Sequence, residues 1–164
     1  MTKKLKTATC IEMEVAISKY FGIRTHIIVP NLSYGLDGMH ECDLFCLRST
    51  GYAVEIEIKR SKSDLLADFK KKHDHSDERI CELYYAIPIE LLDSCKDLIP
   101  IHCGIITCNY KRNGNLNAEC FRTAKRNKNS RRLTVEEQLK VTRLGCMRIW
   151  SLKEKNIKLL KTKI

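Results

Sequence analysis

A chain of 164 residues with 43% apolar content is long enough to bury one core and too short to divide comfortably into two. Its longest apolar runs, around Ile27 and Tyr84, fall far short of the roughly 20 residues a membrane-spanning helix needs, and Lys3, Lys4 and Lys6 lead into Thr7-Ala8-Thr9-Cys10 and then charges where an export signal would be apolar. The formal net charge of +10 is unevenly placed: residues 1 to 110 hold 14 Lys and Arg against 16 Asp and Glu, residues 111 to 164 hold 16 against 4.

These features argue against a membrane or secreted protein and lead us to expect a cytoplasmic one. The nine cysteines then read as reduced thiols packed as small hydrophobes. No C-x-x-C pair occurs, and the spacing of Cys42, Cys46, Cys81, Cys95, Cys103 and Cys108 does not suit structural zinc. A basic C-terminal third beside a near-neutral body suits a polyphosphate ligand, since Lys and Arg replace condensed counterions on the backbone. A solubilising tail is the plainer alternative.

In chain order, Thr7 to Phe21 carries apolar residues at helical spacing and stops at Gly22. Thr25 to Val29 is β-branched and reads as a strand ending at Pro30, with a loop from Asn31 to Gly38. Glu41 to Arg48 and Tyr52 to Lys59 form a hairpin around Ser49-Thr50-Gly51. Ser61 to Asp64 opens a helix through Leu65, Leu66 and Phe69, running into Lys70-Lys71-Lys72. His73 and His75 then fall in a polar loop, where solvation is their ordinary state. Glu82 to Pro88 and Cys103 to Asn109 are expected as parallel strands joined by a helix from Ile89 to Leu98. Leu116 to Thr123 reads as an edge strand. A capping box at Thr134 opens a basic amphipathic helix through Leu139, Leu144, Trp150 and Leu152, bent near Gly145.

A three-residue turn centred on Thr50 makes hairpin partners sum to 100. Phe45 then faces Glu55, Asp43 faces Glu57 and Glu41 faces Lys59, all on one face of the hairpin. Opposed Cβ atoms lie about 4.5 to 5.5 Å apart, which brings the carboxylates of Asp43 and Glu57 within reach of one divalent cation. Val54, Ile56 and Ile58 form the opposite, apolar face, so the acidic face is expected to border a cleft or solvent.

Asp43, then Glu57-Ile58-Lys59 after a glycine turn, then a helix, resembles the PD-(D/E)XK nuclease superfamily, although Cys42 stands where the name-giving proline would be. The resemblance covers Thr7 to Asn109. The run from Glu55 to Leu65, followed by Asp68 and Lys70, resembles in particular a bacterial and phage DNA-repair-nuclease-like branch.

The resemblance implies an α/β, restriction-endonuclease-like core over residues 1–110: a helix, a three-stranded antiparallel meander, a helix and a further parallel strand. Residues 111–164 would add a basic edge strand and a C-terminal helical extension. It implies a Mg²⁺- or Mn²⁺-dependent deoxyribonuclease working in DNA repair, recombination or the processing of phage or mobile-element DNA. Asp43, Glu57 and Lys59 would be catalytic, and Asp43, Glu57, the Ile58 carbonyl and Glu14 would hold the metal, with Glu12 as the alternative to Glu14. Glu41 and Glu55 are candidate accessory acids. Asp64 and Asp68 answer the helix terminus and pair locally with Lys72.

Lys111, Arg112, Arg122, Lys125, Arg126, Lys128, Arg131 and Arg132 are the candidates to grip nucleic acid, DNA in the first instance with RNA left open. A binding module on the same fold without catalysis is the competing reading. The C-terminal helix is a candidate homodimer contact.

Overall fold

The structure, a computed structural model, describes residues 7–32, 36, 41–70 and 77–161. Its sheet is organised by the hairpin turn. Gly51 takes φ +86°, a left-handed conformation that L side chains adopt at a cost of about 1 to 2 kcal/mol, and its N–H donates to Arg48 O at 2.8 Å. The turn sets β2 (Cys42–Leu47) against β3 (Ala53–Ile58), with Leu47 opposite Ala53 and Phe45 opposite Glu55. That is the register the sequence required.

Six strands form one sheet in the order β1 to β6. β1 (Ile27–Leu32) is antiparallel to β2, and β3 runs parallel to β4 (Ile80–Pro88). β4 is parallel to β5 (Gly104–Tyr110), and β6 (Leu116–Arg122) closes the far edge antiparallel. β1 continues through Pro30 to Leu32, two residues beyond the proline at which the strand was expected to end. An edge strand tolerates this, because the missing N–H can face away from its one neighbour.

One face of the sheet is covered by α1 (Cys10–Tyr20), whose Met13, Ala16 and Ile17 pack on Leu44, Val54, Ile56 and Ile106. The helix starts three residues later than expected, at a capping box. Thr9 Oγ1 accepts from Glu12 N–H, and Glu12 Oε2 accepts from Thr9 N–H at 2.9 Å.

The other face is covered by α2 (Lys62–Asp68), α3 (Leu92–Cys95) and part of α4 (Val135–Lys161). The helix expected from Ile89 to Leu98 is instead a 3-10 turn over Ile89–Leu91 followed by the single turn of α3. Gly104 sits opposite Tyr84, and a Cβ there would lie 2.2 Å from the tyrosine ring, so only glycine lets β5 approach.

The C-terminal third touches both edges of the sheet. β6 extends the β5 edge, while α4 lies on β1, with Val141 buried beside Val29. A Cβ at Gly145 would stand 3.2 Å from Val29 Cγ2, and α4 runs through this position as one continuous helix. From Ile149 to Lys161 every residue of α4 is exposed. No described helix is long and apolar enough to cross a membrane.

Candidate active site

The pleat places Phe45, Glu55 and Leu83 in one row and Glu57, Tyr85 and Ile105 in the next, all on the face beneath α2 and α3. The acidic face of β3 is therefore interior, contrary to the expectation that it borders a cleft or solvent. Glu55, Glu57 and Lys59 are 0%, 5% and 4% exposed. Period-2 alternation assigns residues to faces but leaves open whether helices cover both of them, as they do here.

The next pair after Leu44 and Ile56 in the hairpin register is Asp43 and Glu57. Here the Asp43 side chain takes over from the backbone ladder, Oδ2 accepting the Ile58 N–H at 2.7 Å. That bond fixes the carboxylate at the point where the two strands part. Lys59 Nζ donates to Glu57 Oε2 at 2.8 Å and to Asp68 Oδ1 at 2.9 Å. Tyr85 donates its hydroxyl to Asp68 Oδ2 at 3.2 Å, and its ring meets Phe69 edge-on.

Asp68 and Tyr85 are the site residues that sequence reasoning missed. Lys72, the local partner expected for Asp68, lies outside the described residues, as do His73 and His75.

The remaining expected residues divide. Glu14, half-buried on α1, lies near enough to feel the Asp43 charge, whereas Glu12 is occupied in the capping box. Glu41 is exposed ahead of β2 and makes no recorded pair with Lys59, whose ammonium is buried between Glu57 and Asp68. Glu55 lies in the interior between Phe45 and Leu83.

The electrostatics follow from one ammonium facing several carboxylates. Burial raises the Glu57 carboxyl to about 7, helped by Asp43 and opposed by Lys59. Burial likewise raises Asp43, against the Ile58 N–H and Lys59. Burial works against the Lys59 charge, but Glu57 and Asp68 outweigh it and hold the amine above its usual value. Lys59 thus stays charged. The surplus negative charge is relieved at Glu57, which titrates near neutrality.

Glu57 Oε1 is buried and accepts no hydrogen bond among the described residues. Such an atom suits a metal–oxygen bond. Among the described residues no three His, Cys, Asp or Glu side chains gather as ligands for one ion. Two carboxylates still fit Mg²⁺ or Mn²⁺, because Mg²⁺ keeps several waters and takes one or two carboxylates alongside substrate oxygens.

The basic residues separate by what they touch. Arg122 donates to the carbonyls of Ile99 and Pro100 at 2.9 Å and of Cys103 at 3.0 Å. Arg131 is paired with Glu78 at 2.7 Å and Glu137 at 2.8 Å. Both are engaged within the fold, unlike the other cations expected to grip nucleic acid. Lys111, Arg112, Lys125, Arg126, Lys128 and Arg132 are exposed, and Arg126 and Arg132 lay their guanidinium groups over Tyr52 at 4.4 and 5.4 Å.

No family model matches the chain, and no curated protein matches it. Among solved structures it is similar to a protein of unknown function from Silicibacter pomeroyi. The two are 17% identical, the match covers 94% of this chain and 96% of that one, and the TM-score is 0.67. This likeness concerns the fold, an α/β architecture with a six-stranded sheet.

Proposed function

We propose that the protein is a divalent-metal-dependent nuclease that hydrolyses DNA phosphodiesters, on a restriction-endonuclease-like core. The observation that carries this reading is the convergence of Asp43 and Glu57 from adjacent strands beside a buried, charged Lys59, with Glu57 Oε1 lacking a hydrogen-bond partner among the described residues. Asp43, Glu57 and the Ile58 carbonyl are the groups that would hold Mg²⁺ or Mn²⁺, a set of two carboxylates that leaves Glu14 of α1 outside it. Bound there, the ion would polarise a phosphodiester oxygen and lower the pKa of a coordinated water.

The chain's own contribution is positioning and charge. Asp43, anchored by the Ile58 N–H, keeps its carboxylate at the strand end. Lys59 supplies a compact positive charge for the phosphorane-like transition state, where a fixed charge in a water-poor site acts strongly. Asp68 and Tyr85 hold Lys59 in place. The exposed cations of the C-terminal third suit the phosphate backbone. The exposed apolar stripe of α4 suits pairing with a second copy of the chain.

A second reading, a nucleic-acid-binding module without catalysis, is favoured by one observation: Lys59 is tied to two carboxylates and so has little freedom to reach a phosphate. Cleavage of supercoiled plasmid and labelled oligonucleotides by wild type and Lys59→Ala, in Mg²⁺, Mn²⁺ or EDTA, separates the two. The nuclease reading expects metal-dependent cutting that falls by about 100-fold or more in the variant, with binding nearly intact. Binding without cutting in every metal would establish the module.

A further inference from the structure

A cavity of about 300 Å³ opens at the start of β4, beyond the N-terminal end of β5. Its apolar floor is Ile80, Cys81 and Leu83, and its rim carries His102, Lys125 and Arg126. The wall is the segment that follows β6, tied to the body at Lys125 and Asn127. Lys125 N–H donates to His102 O at 2.8 Å, Asn127 N–H to Cys81 O at 2.8 Å, and Asn127 Nδ2 to Ile80 O at 3.2 Å. The cavity is therefore built from backbone held in place before any ligand arrives, which lowers the ordering cost of binding.

Its charge is uncompensated. The acid in the lining, Glu82, has both oxygens engaged by Arg48 at 2.8 and 2.7 Å. No recorded ion pair joins Lys125 or Arg126 to a carboxylate among the described residues, and Arg126 reaches from the cavity to the Tyr52 ring. An apolar floor under an unpaired cationic rim asks for a ligand with a flat, poorly hydrated body and an anionic end. The volume lies at the small end of ligand pockets, about ten times the volume a water molecule occupies in the liquid.

We propose that this cavity seats one nucleotide of a nucleic-acid strand, its base on Cys81 and Leu83 and its phosphate on Lys125 and Arg126. It is a second contact, apart from the carboxylate site at the other end of β3 and β4. The assignment rests on the reading of the protein as one that acts on DNA, and it adds where a strand is held. A free mononucleotide has the same chemistry, so the test must tell the two sources apart.

Binding of a fluorescein-labelled single-stranded oligonucleotide is followed by anisotropy in EDTA, across a salt series, with dAMP and inorganic phosphate as competitors. The variants are Lys125→Ala/Arg126→Ala and Asn129→Trp, which introduces bulk at the lining. All three positions are exposed, and thermal melts check that the fold is kept.

The double variant is expected to lose about tenfold in affinity and to flatten the log–log salt slope by about 0.7, the contribution of one single-strand phosphate. Asn129→Trp should lose affinity with the salt slope unchanged. Unchanged affinity and slope in both folded variants would overturn the proposal. Competition by dAMP at the oligonucleotide's own affinity would overturn the strand assignment in favour of a free-nucleotide site. Cleavage by wild type in Mg²⁺ or Mn²⁺ is scored separately. Variant-sensitive binding without cleavage removes the nuclease reading and keeps the cavity, whereas cleavage with variant-insensitive binding does the reverse.

Discussion

The Lys59 ammonium donates to Asp68 Oδ1 at 2.9 Å, which joins the end of β3 to the last turn of α2 inside the protein. Both side chains are nearly sealed from solvent, and Tyr85 completes the arrangement by donating to the other Asp68 oxygen. Removing one partner of a buried pair leaves the other charge desolvated. Asp68→Ala should therefore cost about 3 kcal/mol of unfolding free energy. Asp68→Asn, which can still accept from Tyr85, should cost less. Urea denaturation measures both, and an Asp68→Ala midpoint equal to wild type would show that the pair carries no net stability.

Glu57 makes the site pH-dependent in a defined direction. Its carboxyl is raised from the ordinary 4.5 to about 7 in the folded chain. Between those values the folded state keeps a proton that the unfolded chain has released. Its contribution to stability is therefore greatest below pH 4.5 and is lost as pH rises towards 7. A divalent cation that takes the ionised carboxylate should show the opposite trend, gaining about tenfold in affinity per pH unit up to about pH 7 and then levelling off. Calorimetric Mn²⁺ titrations at several pH values read this slope. Glu57→Gln should abolish it, and a slope surviving in that variant would place the titrating group elsewhere.

The hairpin was legible because two local signals agree: Gly51 at a left-handed position and the alternation of Val54, Ile56 and Ile58 with Glu55, Glu57 and Lys59. Burial of the acidic face was not, because it depends on α2 and α3 lying over that face, and sequence periodicity says nothing about which helix covers which side. The signal for Asp68 was nevertheless present. An acid in the last turn of a helix opposes the helix dipole, which points to a tertiary partner. Tyr85, on the face of β4 that it shares with Leu83 and Ile87, likewise needed a partner for its hydroxyl. Arg122 gave no such warning, since strand-end arginines are ordinarily solvated.

Arg122 and Lys111 should behave oppositely. Arg122→Ala strips a donor from the carbonyls of Ile99, Pro100 and Cys103, and hydrogen bonds from a charged donor are worth about 1.5 to 3 kcal/mol. A loss of about 2 kcal/mol in stability is expected, with the salt dependence of DNA binding unaltered once the protein is folded. Lys111→Ala removes an exposed cation and should leave stability within about 0.5 kcal/mol while reducing the salt slope by about 1. Reversed results would return Arg122 to the nucleic-acid surface.

Salt should act in opposite directions on the two associations expected of the C-terminal third. Along α4, Leu139, Cys146, Trp150, Ile157 and Leu160 fall on one stripe, with Trp150 64% exposed. The helix has 27 residues and is about 40 Å long at about 1.5 Å per residue. A standard interface of about 800 Å² per partner would need most of that length, so a second copy should pair along the whole helix. Lys153, Lys155, Lys158 and Lys161 oppose such a pair, with Glu154 alone of opposite sign among residues 149–161. Screening should therefore strengthen the dimer while it weakens DNA binding. Sedimentation velocity at low and high salt tests this. Trp150→Glu should yield a monomer throughout, and a wild type that is monomeric at every salt concentration would rule out α4 as a dimer contact.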